Sequence, residues 1–270
     1  MYKFDVKKVT DDLIKWILDW FEKNGKDCNA VLGMSGGKDS TIAAALLAKA
    51  LGPERVIGVA MPDTDQSIND ADKICKYLGI KYMEVPIWGV TGAYKRMVDN
   101  NNPRPLEYDG TTNIIEWSKQ TEQNIPPRIR MTTLFAIAQT WNGRVIETCN
   151  LSESYIGYLT IFGDGAGVVS PLGGLTVTEI LRIGDYIGLP YEWVHKTPDD
   201  GLPHSTTDEA KIGFSYAELD RLIRESEPIE GVCTNDPTLT KEEKIYRMYY
   251  TSDFKRKLLN IPTFKPNIDE

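Results

Sequence analysis

Apolar residues along the first ninety positions alternate between two spacings. Residues 5–24 carry five of them at helical spacing before Asn24-Gly25: Val6, Val9, Leu13, Ile17 and Phe21. Short apolar runs at 30–34, 56–61 and 82–87 predict buried strands. The stretches 39–51 and 67–79 predict the helices between them. Strands that alternate with helices are typical of parallel βαβ units, so the pattern predicts an α/β fold with an open parallel sheet and helices on both faces.

The spacing becomes less regular after residue 88. Region 88–110 contains Gly89, Gly92, three consecutive asparagines and two prolines, so we interpret it as a loop with at most a short helix. The remaining predicted elements are a helix at 128–142, a strand at 145–148, a glycine-rich loop at 162–174, a loop at 197–210, and helices at 176–188, 215–225 and 240–258. Since no repeat or linker divides the chain, we expect one domain spanning residues 1–270.

Composition narrows the class of protein. Hydrophobic residues make up 41% of the chain and charged residues 26%, as in ordinary soluble domains. The net charge of −8 argues against a general nucleic-acid binder. The four cysteines show no metal-binding or redox spacing, which favours reduced thiols in a cytoplasmic protein. No signal peptide and no membrane-spanning run is evident, so we expect a cytoplasmic protein with no membrane association.

The stretch VLGMSGGKDST, residues 31–41, joins a predicted strand to a predicted helix through Gly36-Gly37. Such a turn offers backbone N–H groups and the positive end of a helix dipole to an anion, and phosphate suits it well. A tight turn without any ligand is the alternative. The stretch is not a Walker A motif, because Leu32 stands at the first glycine position and Asp39 replaces the Ser/Thr.

The sequence Ser-Gly-Gly-Lys-Asp-Ser at 35–40 resembles the pyrophosphate-binding loop of the N-type ATP pyrophosphatases, which cut ATP between its α and β phosphates. The resemblance implies an adenine nucleotide alpha hydrolase-like, Rossmann-like fold. It places the ATP site on Gly33, Met34, Ser35, Gly36, Gly37, Lys38, Asp39 and Ser40. Asp39 would hold Mg²⁺, because a bare carboxylate would repel phosphate. It could instead be a carboxylate favoured by the helix dipole, and Lys38 could be either a phosphate contact or a surface lysine.

Further motifs resemble the NAD synthetases over nearly the whole chain. They are NIPPRIRM at 124–131, TCNLSESYIGYLTIFGD at 148–164, SPLGGLT at 170–176, KTPDDGL at 196–202 and DEAKIGFSY at 208–216. The resemblance implies that ATP-Mg adenylates the nicotinate carboxylate of deamido-NAD, that pyrophosphate leaves, and that ammonia displaces AMP to give NAD. We therefore expect ATP, deamido-NAD and ammonia as substrates, direct use of ammonia without a glutaminase domain, and a homodimer.

The same resemblance assigns residues outside the loop. Glu153 would be a second Mg²⁺ ligand and Thr148 an ATP contact, while Arg128, Asp164 and Lys255 would bind deamido-NAD. Lys38, Asp39 and Glu153 are the candidate catalytic groups. The alternatives are a solvated helix glutamate for Glu153, a strand threonine for Thr148, a surface arginine for Arg128 and a basic tail for Lys255.

We expect Ser35–Ser40 and Thr148 to meet where the strand order reverses. Loops 88–110 and 197–210 resemble the family's two lids, although plain surface loops are the alternative. Three positions that are usually polar or charged are apolar: Ile161, Val168 and Val177. Losing one charge-assisted hydrogen bond costs roughly 1.5–3 kcal/mol. The substitutions therefore predict either weaker binding of deamido-NAD or a different carboxylate substrate for an amide-forming ATP pyrophosphatase. A nucleotide-binding homologue without turnover is the third alternative.

Overall fold

Four parallel strands form one sheet in the part of the chain that this computed structural model describes, residues 2–63, 69–98, 118–196, 207–228, 238–258 and 260–268. The strands are β1 (Asn29–Gly33), β2 (Val56–Ala60), β3 (Lys81–Glu84) and β4 (Gly143–Val145). Their order across the sheet is β3-β2-β1-β4. The register pairs Val31 of β1 with Ile57 of β2 on one side and with Val145 of β4 on the other. The strand order therefore reverses at β1, because the chain proceeds outward to β3 before it returns to β4.

Helices precede and connect these strands. They are α1 (Val6–Asn24), α2 (Lys38–Leu51), α3 (Asn69–Leu78), α4 (Trp88–Val98), α5 (Lys119–Thr140), α6 (Leu151–Ile156), α7 (Val177–Tyr186), α8 (Tyr191–Val194), α9 (Asp208–Ile212), α10 (Tyr216–Glu225), α11 (Lys241–Thr251) and α12 (Asp253–Leu258), with a 3-10 turn at Pro53–Arg55. None of the described helices combines the length and the hydropathy needed to cross a bilayer.

Side chains on β1 show that the sheet is covered on both faces. Ala30 and Leu32 belong to a core that α1, α2 and α7 complete, whereas Val31 points to the other face. There it packs with Leu134 and Ala138 of α5. A third apolar cluster joins α6, α10 and α11 beyond the sheet. This arrangement confirms the predicted α/β class with helices on both faces of a parallel sheet.

The prediction of a loop with at most a short helix at 88–110 underestimated the helix in its first half, since Trp88–Val98 forms a helix of 11 residues. A glycine inside a helix costs only about 1 kcal/mol, so Gly89 and Gly92 do not prevent it. Lys95 Nζ also reaches Glu122 Oε1 of α5 at 2.6 Å, which ties the two helices together. Residues 99–110 lie outside the described ranges.

Other helix boundaries also differ from the prediction. Helix α5 begins at Lys119 rather than at residue 128, because Ser118 Oγ caps it by accepting a hydrogen bond from Thr121 N at 3.1 Å. The helix continues through two prolines, Pro126 and Pro127. The single helix predicted over 240–258 is two helices, which meet at Ser252. The Ser252 N–H donates to Met248 O at 3.0 Å, and Ser252 Oγ accepts from Arg256 Nη1 at 2.9 Å.

Candidate active site

A cavity of about 480 Å³ opens at the carboxyl ends of β1, β2 and β4. Its walls come from the loop after β1, the end of β2, one face of α5, the segment that leads from β4 into α6, and a turn before residue 167. The lining residues are Gly33, Met34, Ser35, Gly37, Asp39, Ser40, Val59, Met61, Pro62, Pro127, Arg130, Met131, Leu134, Ile146, Thr148, Cys149, Glu153, Gly163, Asp164 and Ala166. The cavity therefore lies at the reversal of strand order, where ligands bind in open α/β sheets.

The glycine loop leaves the start of α2 open to a ligand. Gly36 has φ 76°, in the left-handed region that favours glycine, and a Cβ there would lie 3.2 Å from the Cβ of Asp70. Gly37 is the N-cap and provides no side-chain cap. The first N–H groups of α2 consequently have no capping acceptor, and Ser35 Oγ and Ser40 Oγ lie 3.3 Å apart beside them. Such a helix start suits phosphate.

Two carboxylates, Asp39 and Glu153, face the cavity from different helices. Asp39 accepts from Lys38 Nζ at 2.7 Å and from Asn150 Nδ2 at 3.3 Å. Glu153 belongs to the capping box of α6, in which Asn150 Oδ1 accepts from Glu153 N and Glu153 Oε2 accepts from Asn150 N. Asn150 therefore holds both carboxylates in place at once.

Burial and the charge of Asp39 raise the pKa of Glu153 to about 8. Burial opposes the charge on Lys38, but Asp39 and Glu153 outweigh it and raise the pKa of that ammonium. Lys38 thus interacts electrostatically with both carboxylates. A divalent cation would relieve the remaining repulsion. No group of three potential metal ligands occurs among the described residues. The donor set fits Mg²⁺, which is commonly bound by one or two carboxylates together with substrate phosphates.

A buried carboxylate that the sequence analysis missed follows β4 directly. Glu147 Oε1 accepts from Cys149 N at 2.8 Å, and Glu147 Oε2 accepts from Ser170 Oγ. The bond from Cys149 N spans Thr148, which lines the cavity. Burial raises the pKa of Glu147 to about 7. Gly167 packs against this point, since a Cβ there would lie 2.6 Å from Glu147 N.

The structure brings most of the sequence-predicted site residues to the cavity but not all of them. Those in its lining are Gly33, Met34, Ser35, Gly37, Asp39, Ser40, Thr148, Glu153 and Asp164. Gly36 and Lys38 lie beside it in the loop. Arg128 is outside the lining and donates through Nε to Ile161 O at 3.2 Å. Lys255 Nζ donates to the carbonyls of Gly157 and Leu159 at 2.6 and 2.9 Å, so it meets the end of α6.

Arg130 is the arginine of α5 that reaches the cavity, and the sequence analysis passed over it. Its Nε donates to Met61 O at 3.0 Å, at the carboxyl end of β2. Helical spacing was the available signal, because Arg130 shares a face with Pro127 and Leu134 whereas Arg128 does not. Lys196, also missed, pairs with Asp70 beside Gly36 at 2.5 Å. Residues 197–206 of the second proposed lid are outside the described part of the chain.

The apolar positions noted in the sequence have different environments. Val177 is buried in the cluster shared by α6, α10 and α11, so it serves as a core residue. Val168 packs partly buried against the main core. The side chain of Ile161 is not part of the cavity lining, although its carbonyl binds Arg128.

Comparison with known proteins matches residues 9–259 to the family model described as NAD synthase. The chain belongs to the NAD synthase family. Among curated relatives, the NH(3)-dependent NAD(+) synthetase of Methanosarcina acetivorans is 31% identical over 267 residues, which cover 96% of this chain and 98% of the relative. The enzyme of the same name from Carboxydothermus hydrogenoformans is 32% identical over 252 residues, which cover 91% and 95%.

Solved structures of NAD synthase relatives share the fold. NMN synthetase from Francisella tularensis superposes with a TM-score of 0.77 at 28% identity, covering 97% of this chain and all of that one. The NH3-dependent NAD synthetase from Campylobacter jejuni superposes with a TM-score of 0.69 at 27% identity, covering 96% and 99%. The resemblance to this family that the sequence motifs indicated is thereby confirmed.

Proposed function

We propose that this protein is an ammonia-dependent NAD synthetase that amidates deamido-NAD at the expense of ATP. One observation carries the proposal: the Ser-Gly-Gly-Lys-Asp-Ser loop and Glu153 face a single cavity at the strand reversal of an NAD synthase-family chain. The substrate carboxylate attacks the α-phosphorus of ATP and pyrophosphate leaves. Ammonia then attacks the acyl carbon of the adenylate, and AMP leaves as the amide of NAD forms.

The loop residues are suited to bind the pyrophosphate portion of ATP. The open N–H groups at the start of α2 and the hydroxyls of Ser35 and Ser40 would donate to phosphate oxygens. Thr148 would contact the nucleotide from the segment after β4, where the bond from Cys149 N to Glu147 Oε1 spans it. Lys38 neutralises Asp39 and lies within the field of the phosphates.

Asp39 and Glu153 would hold Mg²⁺, and the ion would supply charge neutralisation on the phosphates. The cavity's position under α5 would keep water from the adenylate, since Met131 and Leu134 cover it with apolar surface. Asp164 lines the opposite wall and accepts from Thr160 N at 2.9 Å, which orients it toward substrate. Arg128 and Lys255 would act on substrate outside this cavity.

A second candidate substrate is the mononucleotide acid whose amide is NMN. The solved relative with a TM-score of 0.77 is an NMN synthetase. Ile161 and Val168 stand where charged groups are expected to meet the dinucleotide. A smaller substrate would need fewer of those contacts, and the adenylation and amidation steps would be unchanged.

Assembly and location form part of the same proposal. We place the protein in the cytoplasm as a homodimer of one-domain subunits. Support for the dimer comes from α4, where three large apolar side chains are more than half exposed: Trp88, Val90 and Met97. Val90 and Met97 are seven residues apart and therefore share one face of α4, and an exposed apolar face of this kind marks a surface that another protein covers.

The proposal is tested by an assay with ATP, Mg²⁺ and ammonium, in which AMP and the amide product are measured together. Deamido-NAD and nicotinate mononucleotide are compared as acids at matched concentrations. Equal formation of AMP and NAD is expected with deamido-NAD, and a higher kcat/KM with the mononucleotide would favour the second candidate. Absence of AMP with both acids would contradict the proposal.

A further inference from the structure

We propose that Arg130 binds the α-phosphate of ATP, the phosphate that remains in the adenylate after pyrophosphate has left. The inference deepens the proposed function and rests on it for the identity of the nucleotide. The sequence motifs directed attention to Arg128 on the same helix. The structure shows that Arg130 is the guanidinium of α5 that lines the cavity.

The first argument is the charge of the cavity wall. Among the residues that line it within the described ranges, Asp39, Glu153 and Asp164 are acidic and Arg130 is basic. ATP and the substrate acid both bring further negative charge. A cation in the wall is therefore positioned to receive an anion, and the guanidinium is well suited to phosphate oxygens.

The second argument is that Arg130 is held in place and has donors to spare. Its Nε donates to Met61 O at 3.0 Å, which fixes the plane of the guanidinium at the carboxyl end of β2. No described carboxylate lies within ion-pairing distance of it. Burial lowers the pKa of Arg130, while the charges of Asp63 and Asp164 oppose that change. Arg130 is half-buried, and only its Nε is engaged within the described residues, so its two terminal amino groups are available to a ligand in the cavity.

The third argument is the position of Arg130 relative to the glycine loop. The open start of α2 takes the pyrophosphate end of the nucleotide. Arg130 lines the same cavity from α5, and its Nε bond to Met61 O places it at the carboxyl end of β2, the strand next to β1 and its glycine loop. The apolar wall beside it, made by Val59, Met61 and Leu134, suits a purine ring. The group between the pyrophosphate and the ribose is the α-phosphate, so a nucleotide that spans the loop and this wall would present that group to Arg130.

Equilibrium binding of three probes tests the inference without relying on turnover. ATP, AMP and adenosine are titrated into wild type, Arg130→Met and Arg130→Lys in the presence of Mg²⁺ and without the acid substrate. Arg55→Met is the matched control. Its guanidinium is also half-buried and bound to a carbonyl, Cys28 O at 2.8 Å, but it lies at the amino end of β2, whereas the cavity lies at the carboxyl ends of the strands.

Arg130→Met is expected to weaken the binding of ATP and of AMP by about tenfold or more and that of adenosine by less than twofold, because only the first two ligands carry the phosphate. Arg130→Lys should lose less affinity for ATP and AMP than Arg130→Met, and Arg55→Met should bind all three ligands as wild type does. Unchanged ATP affinity in Arg130→Met would overturn the inference. Equal weakening of all three probes would also overturn it, since Arg130 would then only shape the cavity. A wild type that binds ATP yet forms no amide would count against the proposed function alone.

Discussion

Asn150 donates from Nδ2 to Asp39 Oδ1 at 3.3 Å, and this bond joins the start of α6 to the start of α2 across 111 positions of chain. The other half of the same amide, Oδ1, accepts from Glu153 N at 3.0 Å. One side chain thereby caps a helix and sets the relative position of the two candidate Mg²⁺ ligands. Asn150 is thus a positioning residue for the site.

Replacing Asn150 with Ala should affect activity far more than folding. Loss of the cap is expected to cost about 1 kcal/mol of unfolding free energy. Turnover should fall at least about tenfold, with a higher Mg²⁺ requirement, because Asp39 and Glu153 lose their shared support. Urea denaturation and Mg²⁺ titration of the assay measure the two effects. Thr240→Ala removes the matching capping box of α11 and should change stability alone. Equal loss of activity in both variants would contradict the assignment.

Asp39→Asn should abolish Mg²⁺-dependent turnover while leaving the fold intact. The variant keeps the shape of the side chain but removes a negatively charged oxygen, and metal charge stabilisation contributes several kcal/mol to such reactions. A loss of roughly a thousandfold in kcat is expected from that magnitude. Asp19→Asn on the exposed face of α1 is the control. Normal activity of Asp39→Asn at any Mg²⁺ concentration would exclude its role as a ligand.

Glu147 predicts a pH dependence of stability. Its pKa in the folded protein is about 7, against an ordinary value of 4.5, so the folded state binds this proton more tightly than the unfolded chain does. The stabilisation that this tighter proton binding gives the folded state is complete below about pH 4.5 and is lost as the pH rises through about 7. The difference between the two pKa values corresponds to roughly 3 kcal/mol of unfolding free energy. Glu147→Gln resembles the protonated form, so it should be more stable than wild type at pH 8.5 and similar at pH 4.5. Urea denaturation of both proteins at the two pH values gives the difference between their free energies of unfolding. The same difference at pH 4.5 and at pH 8.5 would contradict the prediction.

Arg128→Ala should raise the KM for the acid substrate more than the KM for ATP. Arg128 lies outside the cavity that holds the glycine loop, and its Nε contact to Ile161 O places it at the turn that carries Asp164. Steady-state kinetics with each substrate varied in turn measure the split. An equal rise in both constants would remove the reason for assigning Arg128 to the acid.

Val90→Asp should convert the proposed dimer to a monomer. Val90 is 57% exposed in the first turn of α4, where the helix dipole favours a carboxylate, so the helix itself should persist. Light scattering after size-exclusion chromatography gives the mass of each species. Leu18→Asp, at another exposed apolar position, should leave the mass unchanged. A wild-type mass of one subunit would contradict the dimer proposal.

The sequence was sufficient for those parts of the fold that local patterns encode. Apolar runs located β1 and β2 to within one residue, and the glycine loop identified the start of α2, because strand burial and helix capping leave local signals. The length of helix α4 was underestimated because packing against α5 outweighed two glycines. The buried contacts of Glu147 and Arg130 depend on partners at Ser170 and Met61, far along the chain. Such pairings are visible only once the strands are assembled.

Helix α6 has only six residues, too few to be stable alone, yet it carries Glu153. Its last turn is held by α12: Arg256 Nη1 donates to Tyr155 O at 2.7 Å, and Lys255 Nζ donates to Gly157 O at 2.6 Å. The segment that completes this support follows α6 by 101 positions along the chain. During synthesis the sheet and the glycine loop can therefore form early, but the second carboxylate becomes fixed only after α12 has emerged. The newborn chain should form its glycine loop before it completes the candidate site.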